Sequence, residues 1–560
     1  MTEKRKTLVI WSAEPREMAF LSNRLESQFP HAEFSLLVGK YRDRIVKNQI
    51  FSQRYVHSMP TKRFRVLGLE KELRRRLVSE GFENAVLPSE DDKGHFLING
   101  KLSLLLLHAE HLFFYHHKSG FRRISKPRLV ADILYSIASR AALFAIRQID
   151  VLIFLLLMLL ALPVGKIRRR LNQPSEETSS GPLSIAYFIT SLGLGGAQRQ
   201  LLLAAEQMAQ RGHAPFTLAW LMTDEFYNGL FVEKGLDMSY IRRTGGFFSL
   251  GVLRLYRRLR KQRPLILHNW LFLANMVGSV AGNLAGVPCI ISSVRNINLW
   301  KKTWYKKWWY YTGDWLTGRL NWRLLGNSEA VSEDTRDWLS LPPERVVTVV
   351  NGILPEWIDP LSLEEISQKR EKLGLGQNVK IALICGRLAA EKDHRTFFKA
   401  FKQAGEKVAN LHALVIGGGE LEEELVSFCM DEGIAASVTF MGSRLDVHAW
   451  MQIADIIVQS SIIEGLPNVI MEALLLERPV AATNAGGTGE IIKDRETGLL
   501  VPVGDAEVMA AAMEELLIDK NLARNMAVNG RQHVLEYCEA DKMSDTLLRL
   551  YEGGLRRTDQ

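Results

Sequence analysis

Two acidic residues eight positions apart give the strongest chemical signal in this sequence of 560 residues. Glu464 lies in a loop interrupted by Gly465 and Pro467, directly after an apolar strand-like run, and Glu472 lies inside a helix that begins near Asn468. A carboxylate in a loop at a strand end can bind sugar hydroxyls or stabilise a developing positive charge. A carboxylate in the first turns of a helix can accept hydrogen bonds from a ribose diol. A role in complementing the dipole of the helix explains Glu464 poorly, because this residue lies in the loop, before the helix begins.

Two basic residues follow another buried strand, Ile381–Cys385, just past its carboxyl end. Arg387 offers a planar fork of donors and Lys392 a mobile point charge, which together suit a diphosphate. The alternative is a surface salt bridge with Glu391 or Asp393, and the sequence leaves both interpretations open.

A glycine-rich turn, Ser191–Gln198, separates a strand from a helix. Gly195 and Gly196 let the backbone approach a phosphate, whose charge the helix N-terminus favours. Glycine is also common at such turns for geometric reasons, so this turn alone is a weak signal. A second turn of this kind is present at 484–490.

These residues follow strands in a regular β/α alternation, which predicts an α/β fold with parallel sheets covered on both faces. Ligands of such sheets bind beyond the carboxyl ends of the strands. Two sets of elements predict two Rossmann-like domains, 183–352 and 353–530, followed by a crossover helix and tail at 531–560. The predicted strands are Leu183–Thr190, Phe216–Leu221, Leu265–His268, Cys289–Val294, Ile381–Cys385, Ala413–Ile416, Val438–Met441, Ile456–Gln459 and Val480–Thr483.

The first segment, 1–171, begins with a strand–helix–strand pattern (Thr7–Trp11, Met18–Gln28, Phe34–Val38) but has no glycine-rich phosphate turn. We interpret it as a Rossmann-like, membrane-associating or partner-docking extension. The polar stretch at 172–182, rich in Pro and Ser, is typical of a linker.

Composition narrows the class of protein. The formal charge of +9 is compatible with phosphorylated ligands, anionic lipid or nucleic acid. A mean hydropathy of −0.03 with one long apolar run excludes a multi-span membrane protein. Four dispersed cysteines argue against a structural zinc site or a disulfide scaffold. The polar N-terminus lacks the pattern of a secretory signal, so we expect a cytoplasmic protein.

Two segments suggest contact with a membrane. The apolar run Val151–Gly165 is short for a straight span and has basic residues on both flanks, which favours a monotopic or re-entrant helix over a simple crossing. Trp300–Tyr311 combines an aromatic helix face with Lys residues, also typical of a bilayer interface. Both segments have an ordinary alternative, a helix face buried in a domain core.

In this order, the motifs resemble those of the family 4 retaining glycosyltransferases of the GT-B fold, over about residues 182–556. They are Gly195-Gly196-Ala197, Asn327-Ser328-Glu329-Ala330, Asn351-Gly352, Gly386-Arg387-Leu388 with Lys392, Glu464 with Glu472, Gly486-Gly487 and Gly498-Leu499-Leu500-Val501-Pro502. The resemblance implies a nucleotide-sugar donor in the cleft between two lobes, with Glu464 near the reacting carbon. It assigns donor binding to Gly195, Gly196, Arg387, Lys392, Gly442, Gly465, Leu466 and Glu472.

One residue departs from the pattern. Many relatives have a histidine near the donor sugar where this chain has Arg295, which we nevertheless count with Glu464 as a candidate catalytic residue. His268, after the preceding strand, is a second polar candidate, although a lone histidine is more often structural. No Asp-x-Asp pair is present in the sequence. We therefore expect no metal, with Arg387, Lys392 and helix N-termini neutralising the leaving group.

The sequence thus predicts a glycosyltransferase that moves a sugar, with retention, from a nucleoside-diphosphate sugar to a glycan. The acceptor is expected to be a lipid-linked oligosaccharide of cell-surface polysaccharide biosynthesis, at the inner face of the cell membrane. No nucleic-acid partner is expected. The alternatives are a nucleotide-sugar 2-epimerase of similar fold and an inactive adaptor of a polysaccharide-assembly complex.

Overall fold

The computed structural model describes residues 120–171, 181–220, 226–241, 247–299 and 309–556. It also describes Lys301 and, nearer the N-terminus, five strands and a few single positions. The chain forms two compact units, Met1–Gln148 and Ile149–Gln560. The second unit contains both predicted Rossmann-like domains, here called the first and second lobes.

The first unit contains a six-stranded sheet in its described part, with strand order β3-β2-β1-β4-β5-β6. β1 to β5 are parallel and β6 is antiparallel to β5. This order is that of a Rossmann sheet, as the opening strand pattern suggested. Most of the predicted helix 18–28 lies outside the described residues. The strands are β1 Arg5–Ile10, β2 Ala32–Gly39, β3 Phe51–His57, β4 Asn84–Pro88, β5 His111–His116 and β6 Gly120–Ile124.

One long helix, α1 Lys126–Leu171, leads from the first unit into the second and continues through Pro163. It ends where the predicted linker begins, whereas the division between the compact units falls after Gln148, within the helix. By length and composition, α1 could cross a bilayer. This differs from the expectation for the 15-residue apolar run alone, because the helix supplies apolar residues on both sides of that run.

Two faces of α1 have different environments after Ile149. Val151, Phe154, Met158 and Ala161 are buried in the core of the first lobe. The Asp150 carboxylate accepts hydrogen bonds from the backbone N–H groups of Phe248 (2.6 Å) and Ser249 (3.2 Å). On the other face, seven large apolar residues are exposed, here called the α1 apolar stripe: Ile149, Leu152, Ile153, Leu156, Leu159, Leu160 and Ile167. The apolar run is therefore partly core, as the ordinary alternative held, and partly exposed.

The first lobe is a parallel sheet of order β13-β12-β11-β10-β7-β8-β9 with helices on both faces. Its strands are β7 Ser184–Ile189, β8 Ala214–Ala219, β9 Asp237–Tyr240, β10 Ile266–Trp270, β11 Cys289–Val294, β12 Arg323–Gly326 and β13 Val346–Thr348. Its helices are α2 Gly196–Gln210, α3 Phe226–Glu233, α4 Phe248–Gln262, α5 Phe272–Ala285, α6 Trp309–Leu320 and α7 Glu329–Leu339.

The second lobe is a parallel sheet of order β16-β15-β14-β17-β18-β19. Its strands are β14 Lys380–Cys385, β15 Leu411–Ile416, β16 Val438–Gly442, β17 Ile456–Gln459, β18 Val480–Thr483 and β19 Leu499–Val501. The helices that follow the first lobe are α8 Leu363–Lys372, α9 His394–Lys407, α10 Glu422–Asp431, α11 Val447–Met451, α12 Asn468–Leu475, α13 Thr488–Ile491, α14 Ala506–Ile518, α15 Lys520–Tyr537 and α16 Ala540–Leu555.

Alternate residues of the central strands enter different cores. Ala186 and Phe188 of β7 pack on one face of the sheet, whereas Ile185, Tyr187 and Ile189 pack on the other. Successive side chains of a strand point to opposite faces. An apolar residue at every position therefore produces a strand buried on both sides, which is why these strands were recognisable in the sequence.

The last helix, α16, returns to the first lobe, where Ala540, Met543 and Leu547 enter its core. The Tyr551 hydroxyl lies 2.7 Å from Nδ1 of His268, and the Ser293 hydroxyl lies 2.8 Å from Nε2. Burial, and then Arg295, lower the pKa of His268 to about 3, so this histidine is neutral. The lone histidine is therefore structural and anchors the crossover helix.

The aromatic segment Trp300–Tyr311 is described at Lys301 and from Trp309 onward. Trp309 and Tyr310 are buried, and Lys301 forms a buried ion pair with Asp314. Trp309 and Tyr310 agree with the core alternative, whereas Tyr311, which the spacing places on the aromatic face with Trp300, is 48% exposed. Trp300 and residues 302–308 lie outside the described structure, so the predicted membrane contact of this segment stays a prediction.

His394, at the start of α9, generates a test of stability against pH. It is 2% exposed, and both ring nitrogens lack a hydrogen-bond partner within the described structure. Burial, and then the charge of Lys392, lower its pKa to about 4. In the unfolded chain a histidine titrates near 6.5. Between those values the unfolded chain binds a proton that the folded chain does not, so acid favours unfolding.

We expect stability to fall as the pH drops from about 6.5 towards 4, with a contribution from His394 of up to ~1.4 kcal/mol per pH unit. His394→Leu removes that contribution. Its unfolding midpoint should therefore fall less than that of the wild type between pH 6.5 and pH 4.5, as measured by scanning calorimetry. Equal decreases in the two proteins would contradict the burial of a neutral His394.

Candidate active site

The predicted acid Glu464 is buried at the carboxyl end of β17 and faces a cation. Its Oε1 atom accepts hydrogen bonds from Lys392 Nζ (2.5 Å), Gln459 Nε2 (2.6 Å) and Ser461 Oγ (2.6 Å). Gln459 and Ser461 belong to the end of the same strand, so β17 positions the acid directly. Lys392 follows β14, the neighbouring strand. The structure thus brings together two residues 72 positions apart that the sequence analysis had placed in one site.

The other predicted diphosphate ligand, Arg387, has a different surrounding. Its guanidinium is 64% exposed and forms an ion pair with Glu391, the salt bridge that the sequence left open. Such exposed pairs contribute little to stability, and a ligand can replace them at small cost. Gly386 packs against the Lys392 side chain, so both cations leave β14 at the same edge of the sheet.

The second predicted acid, Glu472, lies in α12 and is bound from the first lobe. Its Oε1 atom accepts a hydrogen bond from Arg199 Nη1 of α2 (2.6 Å), and its Oε2 atom lies 3.0 Å from Nε2 of His448. Burial raises the pKa of Glu472, but Arg199 and His448 together hold it below its usual value. The carboxylate is therefore charged, and it joins the two lobes.

The two glycine turns allow the lobes to approach closely. A Cβ atom on Gly196 would lie 2.2 Å from Asn468 Nδ2 of the second lobe. Gly195, one residue earlier, precedes the first turn of α2. Asn468 Oδ1 in turn accepts a hydrogen bond from Asn351 Nδ2 (2.9 Å). The N-termini of α2 and α12 therefore meet at the junction, with the backbone N–H groups of α2 beside the cleft.

The remaining predicted residues lie at the same edge. Gly442 ends β16 with a φ of 66°, a left-handed conformation that favours glycine. Leu466 is buried, and its carbonyl oxygen accepts a hydrogen bond from Asn351 Nδ2 (3.2 Å). Gly465 lies against the first lobe, since a Cβ atom there would be 2.3 Å from the backbone oxygen of Arg295.

Arg295, the departure from the expected histidine, follows β11 and is partly buried. Its Nη2 atom donates a hydrogen bond to Asn351 Oδ1 (2.6 Å), and its guanidinium lies 4.9 Å from the centre of the Trp270 ring. Burial lowers its pKa to about 9, so it remains a cation at neutral pH.

Among the described residues, no group of three His, Cys, Asp or Glu side chains is placed to hold a metal ion. The charged groups of the cleft are instead lysine, arginine and glutamate side chains. This set can bind a polyphosphate through its cations and hydroxyl groups through its acids.

Comparisons with known proteins agree with this geometry. A family model described as "Glycosyltransferase Family 4" matches residues 194–357, and one described as "Glycosyl transferases group 1" matches residues 365–533. The two matches divide at the junction between the lobes and include the residues of the cleft. The chain belongs to glycosyltransferase family 4. It is a glycosyltransferase with the GT-B fold.

Two curated relatives illustrate the similarity. "Putative glycosyltransferase EpsD" of Bacillus subtilis is 28% identical over 305 residues, which are 52% of this chain and 80% of the relative. The "UDP-Gal:alpha-D-GlcNAc-diphosphoundecaprenol alpha-1,3-galactosyltransferase" of Escherichia coli is 26% identical over 291 residues, 50% of this chain and 74% of the relative. Among solved structures, Anabaena Alr3699/HepE in complex with UDP and glucose has a TM-score of 0.58 at 20% identity. That match covers 65% of this chain and 98% of the other, and it supports the fold.

Sequence reasoning missed Arg199 and His448, although both contact a predicted residue. Arg199 is 273 positions from Glu472, so no spacing pattern connects them. The available signal was the position of Arg199 in the first turn of the helix after the glycine turn, where a cation is unusual because it opposes the helix dipole.

Gly465 provides a test of the closed junction. Gly465→Ala places a methyl group against the Arg295 backbone and the Asn327 side chain, and backbone there cannot give way without moving a lobe. We expect a loss of about 1–3 kcal/mol of stability, the usual cost of overpacking. The measurement is the thermal unfolding midpoint of the purified variant.

The matched control is Gly405→Ala in α9, where a Cβ atom meets nothing within 4 Å. Alanine in a helix interior is favoured over glycine by about 0.5–1 kcal/mol, so this variant should be as stable as the wild type or more so. If both variants have the same unfolding midpoint as the wild type, the close approach of the lobes at Gly465 is wrong.

Proposed function

We propose that this enzyme transfers a sugar, with retention of anomeric configuration, from a nucleoside-diphosphate sugar to a glycan acceptor of a cell-surface polysaccharide or lipopolysaccharide. The observation that carries the proposal is the contact between Lys392 and Glu464 at the adjoining carboxyl ends of β14 and β17. It provides a cation for a leaving diphosphate and an acid for a hexose at one point of the cleft.

In the proposed donor complex, Lys392 and Arg387 bind the diphosphate, and the N–H groups at Gly195 and Gly196 contribute from the first lobe. Glu472 binds the ribose diol and Glu464 the hexose. The departing charge is neutralised by fixed cations and amide dipoles already in place, so catalysis rests on positioning and electrostatic stabilisation. We accordingly propose a reaction that requires no metal ion.

The acceptor is proposed to be lipid-linked. The Escherichia coli relative is named for a diphosphoundecaprenol-linked substrate, and an enzyme with such an acceptor works at a membrane surface. In this chain the α1 apolar stripe supports that location, because exposed Ile and Leu residues on one helix face favour burial in lipid. The exposed Lys126, Arg128, Arg147 and Lys166 on the same helix suit anionic headgroups.

We propose that α1 lies along the membrane surface and does not cross it. Its opposite face is committed to the first lobe through Phe154, Met158 and Ala161, and Asp150 caps α4. A crossing would remove these contacts and take the Asp150 carboxylate into lipid, at a cost of several kcal/mol. The enzyme would then be a peripheral protein of the cytoplasmic face.

Turnover tests the reaction. Wild-type enzyme given UDP-sugars and an acceptor extract should release UDP, with activity retained in EDTA. Glu464→Gln should lower kcat by about a hundredfold or more, because the carboxylate no longer faces the sugar. The matched control is Glu420→Gln, an exposed acid of the same lobe, which should keep wild-type activity. Release is measured directly by anion-exchange chromatography of the nucleoside diphosphate, which EDTA does not disturb, with GDP- and ADP-sugars as further donors.

Each failure has a distinct meaning. Full activity in Glu464→Gln would refute the role of that acid, and loss of activity in EDTA would refute metal independence. Turnover of the donor without any acceptor would indicate the 2-epimerase, and donor binding without turnover would indicate the adaptor. A wild-type protein that binds no nucleotide sugar would refute the proposed function.

Vesicle binding tests the surface location. The triple variant Leu152→Gln, Leu156→Gln, Leu159→Gln removes three exposed leucines, each contributing about 1.5–3 kcal/mol when buried. We expect at least a tenfold weaker partition onto vesicles of phosphatidylethanolamine and phosphatidylglycerol, measured by flotation. The matched control, Val508→Gln with Ile518→Gln and Val528→Gln, changes three exposed apolar residues of the helices after β19. Equal flotation of both variants would contradict the location.

A further inference from the structure

One cation of the cleft differs from the others in having no acidic partner. Arg199, Arg387 and Lys392 each form an ion pair with a glutamate. The guanidinium of Arg295 contacts Asn351 Oδ1 and the Trp270 ring, both uncharged. Among the described residues no carboxylate lies within ion-pair distance of Arg295. Its charge is thus held in place by neutral groups.

A partly buried cation without a counter-ion is unfavourable, because it has lost water and gained no opposite charge. The lowered pKa of Arg295, about 9, reflects this cost. An anionic ligand would remove it. One arm of the guanidinium is occupied by Asn351, and the remaining donors keep the planar fork that matches phosphate or carboxylate oxygens.

The position of Arg295 ties it to the reacting region of the proposed site. Its backbone oxygen lies against Gly465, next to Glu464. Its partner Asn351 donates through Nδ2 to the carbonyl of Leu466, in the same loop. The cation therefore lies on the first-lobe wall of the cleft, opposite the loop that carries the acid, whereas Lys392 belongs to the second lobe.

We infer that Arg295 binds an anionic group of a substrate, a phosphate or a carboxylate, on the first-lobe wall of the cleft beside Glu464. The inference rests on the proposed function of this cleft and makes its substrate more specific. Three sources carry that chemistry: the donor diphosphate, the carboxylate of a uronic-acid donor sugar, and the phosphate of a lipid-linked acceptor. In each case a neutral substrate analogue loses the contact.

Ligand binding to Arg295→Gln separates these sources. The probes are inorganic pyrophosphate, UDP, UDP-glucose and UDP-glucuronic acid, measured by isothermal titration calorimetry. The matched control is Arg319→Gln, whose guanidinium also lies over a tryptophan ring, Trp315, but on an exposed surface. This control should bind every probe within twofold of the wild type.

Each source predicts its own pattern, and each pattern supports the inference. If Arg295→Gln binds pyrophosphate and UDP tenfold or more weakly than the wild type, the anion is the donor diphosphate. If the affinity for UDP-glucuronic acid falls relative to that for UDP-glucose, and the affinity for UDP is unchanged, the anion is the carboxylate of a uronic-acid sugar. Unchanged donor binding with a tenfold higher KM for a diphosphate-linked lipid acceptor indicates the acceptor phosphate. Arg295→Lys, which keeps the charge without the fork, should show a smaller loss than Arg295→Gln.

The inference is overturned if Arg295→Gln matches the wild type in all of these measurements, since Arg295 would then be structural. Should Arg295→Gln fail to fold, Arg295→Lys decides by the same comparison. Failure of this inference can be distinguished from failure of the proposed function. A wild-type protein that binds no nucleotide refutes that function, whereas inorganic pyrophosphate still reports whether Arg295 holds an anion.

Discussion

The pairing of buried carboxylates with cations at the lobe junction is the constraint on which this enzyme's cleft depends. Glu464 and Glu472 are both nearly excluded from water, and a buried carboxylate without a partner is strongly unfavourable. Lys392 compensates the first within the second lobe, and Arg199 compensates the second from the first lobe. Of the two acids, Glu472 thus also joins the lobes, whereas the ion pair of Glu464 lies within the second lobe.

In the proposed function, this arrangement would couple donor binding to the contact between the lobes. A ribose at Glu472 would compete with Arg199, because both use the same carboxylate oxygens, and a diphosphate at Lys392 would compete with Glu464. Arg199 lies in the first turn of the helix that follows the glycine turn, near the N–H groups to which phosphate binding is assigned in the proposed function. In the proposed function, charge compensation at the lobe junction and recognition of the donor would therefore be two uses of one set of side chains.

The sequence was informative where burial alone determines structure. Strands Cys289–Val294, Ile456–Gln459 and Val480–Thr483 were predicted to the residue, because a strand covered on both faces reads as an apolar run bounded by breakers. Lys392 and Glu464 were placed in one site from their positions after strand ends, but their ion pair was not predicted. Arg199 and His448 were not, because their roles arise from the docking of two lobes. The apolar run was judged too short for a straight span, yet the helix that contains it extends from Lys126 to Leu171.

Helix α1 shows the same limit in another form, because an apolar run does not reveal which of its faces the fold will cover. The first lobe covers Val151, Phe154, Met158 and Ala161 and leaves the α1 apolar stripe exposed. A helix anchored in this way presents apolar surface from the first lobe, which in the proposed function also carries Arg295. If that lobe rests on a bilayer, a lipid-linked acceptor could reach Glu464 with its polar head while its lipid chain stays in the membrane. The same helix would then align the enzyme with its substrate as well as complete its core.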